Sequence, residues 1–167
     1  YVIDLLWLAR KMIVSCFILP FRPRSTSEAY KKIWMDAGSP PLFFNQNLGR
    51  KLEGQFDIQV EVAMRYGRPS ISEALSSFES RNIQNIKVLL LYPQFCDATV
   101  TTTVNKVVEK NKKKANLSVI PPFYSNEAFV KSSAKVIAEN LPEQFDHLLF
   151  SYHSLPESQI KNRTLPV

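Results

Sequence analysis

At 167 residues the chain holds about one domain's worth of sequence, with 45% hydrophobic and 22% charged residues, ordinary values for a soluble globular protein. A net charge of +6 suits nucleic acid, an acidic membrane surface or a small carboxylated ligand. The cluster Lys112-Lys113-Lys114 has no aromatic or glycine interleaving, so it reads as a solvated helix end and no nucleic-acid partner is expected.

In chain order, the most apolar stretch is residues 1–21. Ile3, Leu6, Trp7, Arg10, Ile13, Val14 and Phe17 fall near helical spacing, which predicts an amphipathic helix stopped before Pro20. Its broad apolar face suits a core, a lip over a pocket or a membrane-touching surface. Asp4, Arg10 and Lys11 interrupt it, and the unbroken part, residues 12–19, is far short of the ~20 residues a spanning helix needs. The chain opens at Tyr1 with no recognisable signal peptide. A basic, proline-marked loop covers residues 20–26, a short helix 27–35, a break at Gly38-Ser39-Pro40-Pro41, and another helix about 42–52.

A strand–loop–helix rhythm follows. Residues 58–64 alternate as a strand, and Ser70 is placed to cap a helix carrying Ile71, Ala74, Leu75 and Phe78. The apolar run 87–92 predicts a strand covered on both faces. Helix 99–112 has Val100, Val104, Val107 and Val108 as its buried stripe. A short strand at 117–120 ends at Pro121-Pro122, helix 126–140 follows, and residues 147–152 form the last strand. This alternation predicts an α/β domain with a mainly parallel sheet flanked by helices. Ligands in such sheets gather beyond the carboxyl ends of the strands, so loops 65–70, 93–97 and 153–157 are the expected site.

Cys16 and Cys96 show no Cys-x-x-Cys spacing, which argues against a disulfide framework or structural zinc and for a reducing compartment; each reads as a small buried hydrophobe. No glycine pattern that cradles phosphate occurs, nor a Ser-x-x-Lys or Gly-x-Ser-x-Gly element. Of the two histidines, His147 reads as surface or structural. His153 directly follows an apolar run and opens Ser154-Leu155-Pro156, where imidazole can accept a proton or bind ferrous iron; a structural role fits the position equally.

Phe150-Ser151-Tyr152-His153-Ser154-Leu155-Pro156 resembles the ferrochelatase signature, a strand ending in Phe-Ser-x-His, then Ser or Gly and Leu-Pro. Met64-Arg65-Tyr66-Gly67 with Pro69-Ser70 and Glu73-Ala74 is similar to a second block of that family, and Tyr92-Pro93-Gln94-Phe95 to a third. Pro20-Phe21-Arg22-Pro23, Tyr30-Lys31-Lys32-Ile33 and Gly38-Ser39-Pro40 resemble its lip and substrate loop, and all blocks stand in family order.

The resemblance implies a chelatase-like, Rossmann-type three-layer domain, one of two similar domains with the porphyrin in the cleft between them. Residues 1–167 then form an incomplete N-terminal domain that lacks its first strand, with apolar sheet edges left open, and the second domain lies outside the chain. The implied activity is insertion of ferrous iron into protoporphyrin IX or coproporphyrin III in haem biosynthesis. His153 would be the catalytic residue and metal ligand, as iron binder or proton acceptor. Arg22, Tyr30 and Ser39 would hold the porphyrin propionates. Porphyrin and ferrous iron are the implied partners, with peripheral membrane contact through the apolar lip and a cytoplasmic location. The carboxylate that faces the family histidine lies outside the chain, and Glu157 shares a turn with His153. No prosthetic group is expected; Cys96 stands one position before the family's iron–sulfur cysteine site, occupied here by Asp97. A half-size chelatase acting as a homodimer, and a porphyrin-binding module without turnover, are the alternative readings.

Overall fold

The computed structural model describes residues 11–12, 15–16, 26–152 and 154–161. They fall into two compact units, Tyr1–Arg81 and Asn82–Val167. Most of the expected N-terminal helix lies outside the described residues. Within it Lys11 and Met12 are helical, and Met12 and Cys16 are exposed. Cys16 therefore departs from its expected burial, because the described part of this stretch is not packed.

In the first unit, residues 26–31 are helical and residues 32–33 a turn, so the helix expected to reach 35 stops four residues early. Helix α1, Pro40–Phe56, starts on the two prolines expected to break the chain. Proline suits a first turn, because its missing N–H would lack a helical partner there in any case and its φ is already helical. The helix ends at Asp57, whose left-handed backbone returns its N–H to the Glu53 carbonyl. Gly49 is buried, and a Cβ there would lie 3.1 Å from Val62 Cγ2, so its missing side chain lets residues 60–62 approach the helix closely.

Residues 58–63 are not a strand, contrary to the alternation of their sequence. Alternation shapes the two faces of a strand, but a strand exists only where a neighbour completes its ladder. Side chains replace that ladder here. The Val60 N–H donates to Glu53 Oε1 at 2.9 Å, and Glu61 accepts from Ser77 Oγ at 2.6 Å and from the Arg81 guanidinium. Helix α2, Ile71–Ser80, begins as expected at Ser70 with a reciprocal cap. The Glu73 N–H donates to Ser70 Oγ at 3.2 Å and the Ser70 N–H to Glu73 Oε2 at 2.6 Å. Ile71 and Ala74 are buried; Leu75 and Phe78 are half-buried.

The second unit is a parallel strand pair with its crossover. Strand β1, Asn85–Val88, pairs with β2, Asn116–Val119, in the register Asn85↔Asn116 to Val88↔Val119. An Asn116 Nδ2 to Asn85 Oδ1 hydrogen bond of 3.1 Å starts the ladder, and Ile120 N–H to the Val88 carbonyl at 2.9 Å closes it. Pro121 and Pro122 then offer no donor, so residues 89–92 leave the sheet. Leu89, Leu91 and Tyr92 are exposed instead of covered on both faces.

The connection runs through a π-helical turn, Asp97–Thr101, into α3, Thr102–Lys110. Val100, Thr103, Val104 and Val107 are buried, whereas Val108, expected in the stripe, is 45% exposed. With Thr103 also buried, the inward face is centred on the side of Val104 away from Val108, which leaves Val108 at its edge. Lys112, Lys113 and Lys114 form the solvated turn after α3, as their sequence predicts. Helix α4, Glu127–Asn140, is capped by Asn126 Oδ1, which accepts from the Ala128 and Phe129 N–H groups. Residues 147–152, expected as the last strand, make no ladder: Leu149 is 89% exposed and Tyr152 82%. Helix α5, Ser158–Lys161, closes the described chain. The fold class is nonetheless the expected one, α/β with a small parallel sheet flanked by helices.

Ser70→Ala removes half of the reciprocal cap and is expected to lower stability by about 1 kcal/mol in urea unfolding. The Ser70 backbone N–H, then its hydroxyl and Arg68, hold the Glu73 carboxyl below its ordinary range. The unfolded chain therefore takes up the proton first, so this contribution is present above the ordinary carboxylate range and is lost as pH falls from there through the lowered folded value. Ser70→Ala keeps that backbone N–H and loses only the hydroxyl, so it should flatten the acid limb in part. Val104→Ala, at a side chain with 0% exposure, should cost about 2 kcal/mol, and Val108→Ala much less.

Candidate functional site

Of the four residues singled out from the sequence, Tyr30 and Ser39 are described; Arg22 and His153 lie outside the described residues. Tyr30 stands near the end of the helix over residues 26–31 and is 55% exposed, with Lys31 and Lys32 exposed beside it. The Ile33 N–H bonds to the Tyr30 carbonyl at 3.1 Å and the Trp34 N–H to the Lys31 carbonyl at 3.4 Å, so the helix tightens as it ends. Ile33 and Trp34 are left 59% and 56% exposed.

A two-bond turn then delivers Ser39. Met35 and Gly38 exchange N–H···O bonds of 3.1 and 2.9 Å, and Gly38 has φ +98°, a conformation that favours glycine. Ser39 occupies the N-cap of α1, half-buried, and its side chain makes no capping bond. Pro41 at the second helical position removes one of the two N–H groups that a capping hydroxyl would seek. The Ser39 hydroxyl therefore remains available at the positive end of a seventeen-residue helix, an arrangement that favours an anionic group. Tyr30 and Ser39 belong to one unit and sit at the two ends of the connection 31–38.

Loop 65–70 is closed by the Met64 N–H bonding to the Pro69 carbonyl at 2.7 Å. Arg65 is half-buried, its guanidinium 4.9 Å from the centre of the Tyr66 ring, and its Nε is buried without a hydrogen-bond partner. Tyr66 is 81% exposed. Sequence reasoning placed this loop at the expected site but gave Arg65 no role. The available signal was a cation directly after the alternating apolar stretch 58–64, where a sheet edge would present it.

Loop 93–97 is anchored through the Pro93 carbonyl, which accepts from the Phe123 and Tyr124 N–H groups, both at 3.0 Å. Cys96 at its end is 4% exposed. An open cleft of about 260 Å³ lies over Gly49, lined by Gln46, Arg50, Glu53, Val60 and Val62. Neither Tyr30 nor Ser39 lines it, and its Glu53 is already engaged by the Val60 N–H. No group of three or more His, Cys, Asp or Glu side chains suited to a metal ion occurs among the described residues.

Comparison with known proteins bears on the whole of this arrangement. Residues 1–166 match the family model described as Ferrochelatase. A ferrochelatase of Pseudomonas syringae pv. tomato is 36% identical over 167 residues, covering 98% of this chain and 49% of the relative. One from Pseudomonas fluorescens strain SBW25 is 37% identical over 164 residues, 96% of this chain and 48% of the relative. One from Pseudomonas aeruginosa strain UCBPP-PA14 is 35% identical over 165 residues, with the same coverage of 96% and 48%. The chain thus spans about half the length of the curated relatives it matches. With the family model matched from residue 1 to residue 166, the chain belongs to the ferrochelatase family.

Proposed function

We propose that these residues serve a ferrochelatase, inserting ferrous iron into a porphyrin in haem biosynthesis, with His153 as the reacting residue that this chain supplies. The observation that carries this reading is the block Phe150-Ser151-Tyr152-His153-Ser154-Leu155-Pro156 inside a family match over residues 1–166. Metallation must remove two pyrrole N–H protons. A neutral imidazole, with an ordinary pKa of ~6.5, can take a proton near neutral pH or bind the incoming metal ion.

Arg22 is proposed to grip a porphyrin propionate bidentately, as a planar guanidinium suits a carboxylate. Tyr30 and Ser39 add neutral hydroxyl donors. The exposed phenol of Tyr30 and the uncommitted hydroxyl of Ser39 at a helix N-terminus support that role. In this reading residues 1–167 belong to the first of two similar domains, and the carboxylate facing His153 comes from outside them. The proposed reaction uses ferrous iron as substrate and no prosthetic group.

A peripheral membrane contact forms part of the same proposal. Tyr30, Ile33 and Trp34 are exposed around Lys31 and Lys32, a mixture of aromatic, apolar and cationic groups suited to an anionic bilayer surface. No helix among the described residues is long and apolar enough to cross a membrane.

In the whole protein, His153→Ala should reduce iron insertion at least ~100-fold. Soret-band titration should show porphyrin binding retained. Turnover within twofold of the unsubstituted protein would overturn the assignment. Co-sedimentation with phosphatidylserine-containing vesicles at low salt should weaken about fivefold for each of Lys31→Ala and Lys32→Ala, at about 1 kcal/mol per cation. Sedimentation indifferent to both substitutions would remove the membrane contact from the proposal.

A further inference from the structure

The segment that carries His153 is open on both sides of it. Every described residue from 142 to 158 is exposed, and residues 147–152 have no ladder partner. Just beyond, α5 packs on the π-helical turn Asp97–Thr101. The Cys96 thiol, on a residue 4% exposed, donates to Gln159 Oε1 at 3.2 Å, a contact between residues 63 positions apart.

Chain length shows which anchor matters more. Upstream, the nearest residue that is not exposed is Leu141, twelve positions before His153, a tether that can extend to ~40 Å. Gln159 follows His153 by six positions, which limits the reach to ~20 Å, and Pro156 within that stretch stiffens it further. Any constraint on the histidine from its own strand therefore falls mainly on the Gln159 side.

We propose that Cys96 and Gln159 form a latch that fixes the downstream flank of the His153 loop, which makes both of them positioning residues for the histidine's chemistry. The latch requires a protonated thiol as donor and an oxygen acceptor at position 159. The functional half of the inference rests on the proposed role of His153; the latch itself does not.

The chain's two cysteines make the latch measurable. In the 167-residue chain carrying Cys16→Ser, the rate at which a disulfide reagent labels Cys96 reports how often α5 lifts from the π turn. Gln159→Leu keeps the side chain's bulk and removes the acceptor, and it should label about fivefold faster, the factor expected for one neutral hydrogen bond. Gln159→Glu keeps an acceptor and should label near the parent rate. Equal rates in all three would overturn the latch.

In the whole protein, Gln159→Leu should lower kcat for iron insertion about fivefold with porphyrin KM unchanged, and Gln159→Glu should restore it. Faster labelling with unchanged kcat would overturn the positioning role. A whole protein with no insertion activity even with Gln159 intact would refute the proposed function and leave the labelling result standing.

Discussion

Parallel strands cannot be joined by a tight turn; the chain must travel the length of the sheet and return before it can pair again. Between β1 and β2 this requirement sets the organisation of the second unit. The return path carries Val100, Val104 and Val107, and the two side chains with the least exposure in the described structure, Val100 and Val104, both lie on it. The core is therefore built on the crossover more than on the strands, whose own exposure alternates between half-buried and exposed. The same path positions Cys96 at the base of the π turn, so the crossover that lets two strands pair also supplies the anchor for the chain after residue 153.

Local signals were legible where local chemistry decides the outcome. Ser70 announced a helix start and caps α2 as read, while Asn126, read only as the first residue of a helix, turns out to be the cap of α4. The alternation at 58–63 and the apolar run at 147–152 were equally clear, yet neither segment pairs. Capping involves groups a few residues apart, so the sequence contains both partners. A strand is a property of two segments, and the sequence of one says nothing of whether its neighbour is in place. The prolines at 40 and 41 were misread for a related reason. They stop a helix that precedes them and start one that follows, and the choice rests on the turn at Gly38.

The candidate site divides in the same way. His153 stood out through its motif, and imidazole is a group that can take a proton or bind a metal ion near neutral pH. Ser39 was legible as a motif residue, but its place at the N-cap of α1 without a capping bond is visible only once α1 is seen to begin at Pro40. Arg65 stood in a motif block without a role, because an orphaned Nε is a statement about what surrounds the group.

Glu61 lies in a stretch where Ile58, Val60 and Val62 alternate without a strand partner. Such a stretch is a template on which extended segments of other molecules can stack, the usual opening step of ordered aggregation. Stacking there would have to part the Glu61 carboxylate from Ser77 and Arg81, and each added copy would then bring a like charge into line with the last. The side chain that ties this stretch to α2 thus also acts as a gatekeeper, favouring a dispersed protein over a fibrillar deposit.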